Sequence, residues 1–168
     1  KLKGLNYIDN KNKGGGISYT VEKTRNATFA TLYQQSKRRL DTMLSYGTTT
    51  CEAKTGYGLS TEAELKLLQV QKKLQTTHPV DIISTFLGAH AIPEEYSTQD
   101  YVDLVINEMI PKAKNYAVFC DVFCEKGFFT VEQSQRILEA GKNHGLIPKI
   151  HADEIVDTGG ALLAAKVN

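Results

Sequence analysis

This chain has no run apolar enough to cross a bilayer and no excess charge to draw it to a polyanion. A membrane-spanning helix takes about 20 consecutive apolar residues, and nothing in the 168 residues approaches that. Lysine and arginine number 20 against 19 aspartate and glutamate, a net charge of +1. That balance gives no electrostatic case for nucleic acid or an anionic membrane surface. The opening KLKGLNYIDNKNK lacks the apolar core of a secretory signal. Cysteine is scarce and odd in number, with Cys51, Cys120 and Cys124 all inside apolar, strand-like runs. A reduced, cytoplasmic setting fits them best. Cys120 and Cys124 have no second Cys or His pair at a matching distance, so they read as small buried hydrophobes rather than a metal pair. What remains is an ordinary globular composition, 41% hydrophobic and 23% charged, enough for one core or one large piece of one.

From residue 48 onward, apolar extended runs alternate with helical patterns. TTTCEAK (48–54) predicts a strand, TGYGLS a turn, and Thr61 to about Thr76 a helix opened by a Thr61-x-x-Glu64 capping box. Ala63, Leu67, Val70 and Leu74 form its stripe. DIISTFLGAH (81–90) is the next strand, followed by Val102, Val105, Ile106, Met109 and Ile110 at helical spacing. AVFCDVFCE (117–125) is the third strand, and Thr130-x-x-Gln133 opens the third helix. IPKIHADE (147–154) is the fourth, with a helix beginning near Thr158. Strands buried on both faces and joined by helices imply a parallel sheet, so the fold class is α/β. Ahead of these units, residues 21–46 predict one long helix, with Phe29, Leu32, Tyr33, Leu40, Met43 and Leu44 on its stripe and Gly47 as its stop. Residues 1–20, with Gly14, Gly15 and Gly16, read as a flexible active-site loop, because the glycines lack the Gly-Lys-Ser/Thr ending of a phosphate loop. No linker or second domain interrupts 1–168.

The strand ends carry the polar residues. In order they present Glu52 and Lys54 with Tyr57 just beyond, His90, Asp121 and Glu125, then His151 with Asp153 and Glu154. One polar strand end has a bland reading, since strands must leave the core somewhere. Four in succession fit the C-terminal edge of a parallel α/β barrel, where sites are built from several strands. A neutral imidazole such as His151 can bind Zn²⁺ or Fe²⁺, and a carboxylate three residues on can take a proton from the attacking water. His78, before Pro79, and His144, before Gly145, read as surface residues. The metal site is therefore incomplete on residue pattern alone.

The stretches GGGISYTVEKTR, YGTTTCEAKTGYGLSTEAELK, TFLGAHAIPEEY, FCDVFCEKGFFTVEQS and KIHADE together resemble the imidazolonepropionase family of the amidohydrolase superfamily. The resemblance implies a cytoplasmic enzyme of histidine degradation with a (β/α)8 TIM-type barrel and one divalent metal ion, zinc or iron. It implies hydrolysis of the ring amide of 4-imidazolone-5-propanoate to N-formimino-L-glutamate, and a homodimer for the complete enzyme. Carried over by motif, His151 of KIHADE is a metal ligand and Glu154 the catalytic acid/base, also touching substrate. Tyr57 of TGYG, His90 of GAHA and Tyr7 of GLNYIDNKNKGGG are substrate contacts. No role is carried over for Cys120, Asp121 or Cys124.

The departures are specific. The family's first barrel strand carries a His-x-His metal pair followed by an arginine for the substrate carboxylate, and no His-x-His occurs here. The later strands that supply a further histidine and a metal-binding aspartate are also missing. The expectation is a central section of such an enzyme, a partial barrel domain of about four of eight β/α units. Two other readings stand beside it: a non-catalytic half-barrel acting only by association through its open edges, and an amidohydrolase for another cyclic amide.

Overall fold

The structure is a computed structural model and describes residues 17–167. Helices α1 (Ile17–Asn26) and α2 (Phe29–Ser45) lead into strand β1 (Thr50–Lys54), helix α3 (Thr61–Thr77) and strand β2 (Asp81–Ala89). Then come α4 (Thr98–Leu104), a π-helical turn (Val105–Met109) and α5 (Ile110–Ala113). Strand β3 (Phe119–Cys124), α6 (Val131–Asn143), β4 (Ile147–Ala152) and α7 (Gly160–Val167) complete the order. The four strands form one parallel sheet in the order β1-β2-β3-β4. Helices follow each strand, as parallel crossovers require. This is the wall of part of a TIM-type barrel.

Alternation along the strands separates two faces. Cys120 and Val122 of β3 pack into the main core with Phe86, Met109, Ile137 and Leu138, on the helix side, and Cys124 is also fully buried. Burial pushes the Cys120 thiol up to about 12, so it stays protonated. All three cysteines are unpaired. The other face carries Glu52, Lys54, Asp121, Lys149 and His151, joined by ion pairs across all the strands that bear them. A smaller core forms where Leu40 of α2 meets Val70 and Leu74 of α3 and Ile82 of β2.

Five local expectations are corrected. The 21–46 segment is two helices, because Thr28 adopts extended backbone and caps α2 by accepting from the Thr31 amide at 3.1 Å. The first of them begins at Ile17, inside the stretch read as a 1–20 loop. The cap of α3 is Ser60, accepting from the Ala63 amide, so Thr61 and Glu64 form no capping box and Glu64 is released for another task. The Thr130/Gln133 capping box is present in full. His78 is not a surface residue: its side chain is 1% exposed, Nε2 lies 3.1 Å from Asp41 and Nδ1 accepts from the Val80 amide. His144 is half-buried, its Nδ1 2.9 Å from the Ala140 carbonyl oxygen. The helical segment between β2 and β3 widens into a π-turn just before Pro111, whose missing N–H and ring would disrupt a regular turn.

Candidate functional site

Three strand ends and one loop meet around a cavity of about 410 Å³ lined by Ile17, Thr20, Tyr57, His90, Phe123, His151 and Glu154. Tyr57 follows β1, His90 follows β2, Phe123 lies on β3, and His151 and Glu154 lie at and beyond the end of β4. Helix α1 closes the near side with Ile17 and Thr20. The four side chains singled out within the described residues are thus brought together. Tyr7 lies outside the described residues, as do Gly14, Gly15 and Gly16.

The lining is a row of rings. Tyr57 meets His90 edge-on at 5.0 Å between centroids. Phe123 stands between the histidines, 5.8 Å from His90 and 5.9 Å from His151. His90 reaches this row because β2 bulges. Phe86 pairs with Cys120 but Ala89 pairs with Val122, so β2 fits one extra residue into that interval. Such a bulge re-aims the residues after it. The signal in the sequence is Gly88, an isolated glycine inside the apolar strand FLGAH. A Cβ there would come within 2.4 Å of the Phe86 ring.

His151 is oriented from behind. Its Nδ1 lies 3.1 Å from the Asp121 carboxylate, which is 1% exposed and also takes the Lys54 ammonium at 2.6 Å. Burial disfavours the Asp121 charge, but the bonds from His151 and Lys54 outweigh it and hold the carboxyl below its usual range. The Asp121 bond in turn raises the His151 pKa above the ordinary histidine value, against the effect of burial. Lys54 also pairs with Glu52 at 3.3 Å, Glu52 takes Lys149 at 2.9 Å, and Thr85 donates to Glu52. Asp121 and Lys54 are thus part of the site, which sequence reasoning placed at strand ends without a role.

His90 sits differently. Its Nδ1 is 2.9 Å from the Gly56 carbonyl, and burial holds its pKa below the ordinary value despite that bond. The other strand-end acids serve the backbone. Glu125 accepts from the amides of Lys126 and Ile155, and Asp153 from those of Thr158, Gly160 and Ala161.

Among the described residues no group of three His, Cys, Asp or Glu is placed to hold a metal ion. Within the described residues, Asp121 engages Nδ1 of His151, so Nε2 is the ring nitrogen that could serve a ligand in the cavity.

No protein-family profile matches the chain. Among curated proteins it is 57% identical over 171 aligned residues to an imidazolonepropionase of Brevibacillus brevis, covering 99% of the chain and 40% of the relative. The figures are 58%, 99% and 38% for an imidazolonepropionase of Shouchella clausii. For that of Thermoanaerobacter pseudethanolicus they are 55%, 98% and 40%. The chain therefore spans about 40% of the length of the curated relatives it matches. Over the length it spans, the chain belongs to the imidazolonepropionase family.

Proposed function

We propose that this chain supplies part of the active site of an imidazolonepropionase, hydrolysing the ring amide of 4-imidazolone-5-propanoate to N-formimino-L-glutamate in histidine degradation. The observation that carries the reading is the shared cavity of Tyr57, His90, His151 and Glu154, built from different strand ends. The relatives' shared name supports the choice of reaction.

His151 would hold a divalent ion, zinc or iron, through Nε2, with the other ligands coming from outside the described residues. When bound, such an ion polarises the amide carbonyl and acidifies water. Glu154 lines the same cavity and would take the proton of the attacking water as its oxygen bonds to the carbonyl carbon. The same carboxyl then returns that proton to the ring nitrogen as the carbon–nitrogen bond breaks. Tyr57 and His90 would orient the ring beside Phe123, an apolar part of the same lining.

The test is a chimera in which this chain replaces the aligned stretch of the Brevibacillus brevis relative. Turnover of 4-imidazolone-5-propanoate, lost on His90→Ala with the fold retained, is the expected result. A folded, metal-loaded chimera without turnover would overturn the reading. The isolated 168-residue chain should show no appreciable turnover, since its described residues offer one ligand where catalytic zinc commonly takes three.

A further inference from the structure

Among the described residues two acids are buried to the same 1% exposure, Asp121 behind His151 and Glu64, and Glu64 has no task in the site so far. Glu64 lies on the first turn of α3. Its carboxylate accepts from the backbone amides of Gly56 at 2.9 Å, Gly58 at 2.7 Å and Leu59 at 2.9 Å. A buried carboxylate is costly unless it is met by donors, and here the donors all belong to the loop that carries Tyr57. Arg25 of α1 grips the same loop by its other polarity: Nε donates to the Gly58 carbonyl at 2.7 Å and Nη2 to that of Leu59 at 2.9 Å. An acid thus holds the amides and a base the carbonyls of one four-residue turn.

The turn needs holding. Leu59 has φ +51°, a conformation that costs a leucine free energy and persists only where the surroundings impose it. Gly56 has φ +93°, and a Cβ there would lie 2.8 Å from the Leu87 carbonyl and 3.0 Å from the His90 ring. The turn is therefore pressed against His90, and its Gly56 carbonyl meets Nδ1 of that histidine. A carbonyl only accepts, so Nδ1 must carry the hydrogen.

We propose that Glu64 is a positioning residue that, through the clamped 56–59 turn, places Tyr57 and fixes His90 as the Nδ1–H tautomer, whose Nε2 accepts a hydrogen bond from a ring N–H of the substrate. This deepens the proposed function and rests on it for the identity of the ligand. Burial, which disfavours the charged form of His90 and lowers its pKa, agrees with an acceptor at Nε2. A site that accepts from a ring N–H favours cyclic amides and ureides over esters, which offer no such donor.

Long-range ¹H–¹⁵N spectra of the histidine rings in the ¹⁵N-labelled chain test it without turnover. The expected signature for His90 is a protonated Nδ1 and a bare Nε2, with nuclear Overhauser contacts to the Tyr57 ring in companion through-space spectra. In Glu64→Gln the side chain turns an NH₂ donor toward amides that need acceptors. The His90 signature should become a tautomer mixture and the Tyr57 contact should be lost, while amide signals of β3 and α6 stay in place. Should that variant not fold, Glu64→Asp, which retracts the carboxylate by one methylene, is expected to lose the same signals. An Nε2–H tautomer in the unmodified chain would overturn the proposal, and so would an unchanged His90 signature in either variant. A normal signature alongside an inactive chimera would overturn the proposed function and the substrate role of Nε2, leaving the placement of His90 intact.

Discussion

Asp121 and His151 face each other diagonally across β3 and β4, with Nδ1 3.1 Å from the carboxylate. In the sheet register Asp121 is opposite Lys149 and His151 lies two residues further along the same face. Lys54, from β1, donates to the same carboxylate at 2.6 Å. One buried acid therefore aligns a histidine and a lysine that belong to different strands.

Asp121→Asn should break this arrangement. An amide has one accepting oxygen for two donors and turns its NH₂ toward one of them. Leaving a buried partner unsatisfied costs on the order of 1–3 kcal/mol, which urea denaturation of the chain would register. In the chimera, metal affinity should fall about ten- to a hundred-fold, as for other residues that orient a ligating histidine. Unchanged metal content under competition with a chelator would show that Asp121 does not orient His151.

Glu154→Gln and His151→Ala should fail in different ways in the chimera. Glutamine keeps the shape of Glu154 but cannot take a proton, so turnover should drop by about a hundred- to ten-thousand-fold with metal retained. Alanine at His151 should lose the metal itself. Measuring metal content beside turnover separates the two. Near-normal turnover in the glutamine variant would make Glu154 a solvated charge.

The strands and the cavity were legible because each apolar run ends in groups that a core would not accept, from Lys54 to Glu154. What sequence could not reveal is which polar group answers which. Glu64 fits a capping-box spacing with Thr61, yet the helix starts one residue earlier at Ser60, and the carboxylate is free to take loop amides eight to five residues before it. His78 precedes a proline and so resembles a loop residue, but Asp41, 37 positions away, meets its ring. The break at Thr28 was hidden because the apolar stripe runs on past it from Val21 to Leu44. Local spacing carries periodicity; partners across 30 or more positions, such as Asp121 and His151, arise only from the register of the sheet.

Acid should loosen the segment after β4. Asp153 has φ +55° and a carboxylate bonded to the amides of Thr158, Gly160 and Ala161 and to the Thr158 hydroxyl. The Thr158 and Ala161 amides, chiefly, hold its pKa at about 2. A depressed folded-state pKa stabilises above the unfolded value, near 4, and that contribution is lost as pH falls toward 2. Asp153→Asn keeps a residue tolerant of positive φ and removes the charge. The thermal midpoint of the parent should exceed that of the variant near neutral pH, with the gap closing between about pH 4 and pH 2. A gap independent of pH would mean that the charge adds nothing beyond the turn geometry.

Gly141→Ala sets helix propensity against packing. Gly141 is buried within α6, where alanine is favoured over glycine by about 1 kcal/mol. At this position, however, a Cβ would lie 2.7 Å from the Cβ of Cys120 and 2.9 Å from its Sγ. Cys120 is fully buried in the middle of the sheet and has no room to retreat. Overpacking of this kind costs about 1–3 kcal/mol, so the chain should be destabilised despite the better helix former. The strain would act on β3, whose opposite face carries Asp121 and Phe123 toward the site. Denaturation midpoints measure the first effect, and the His151 ring signals, shifted through Asp121, the second. A stabilised variant with unmoved His151 signals would show that α6 and β3 are not in contact at Gly141.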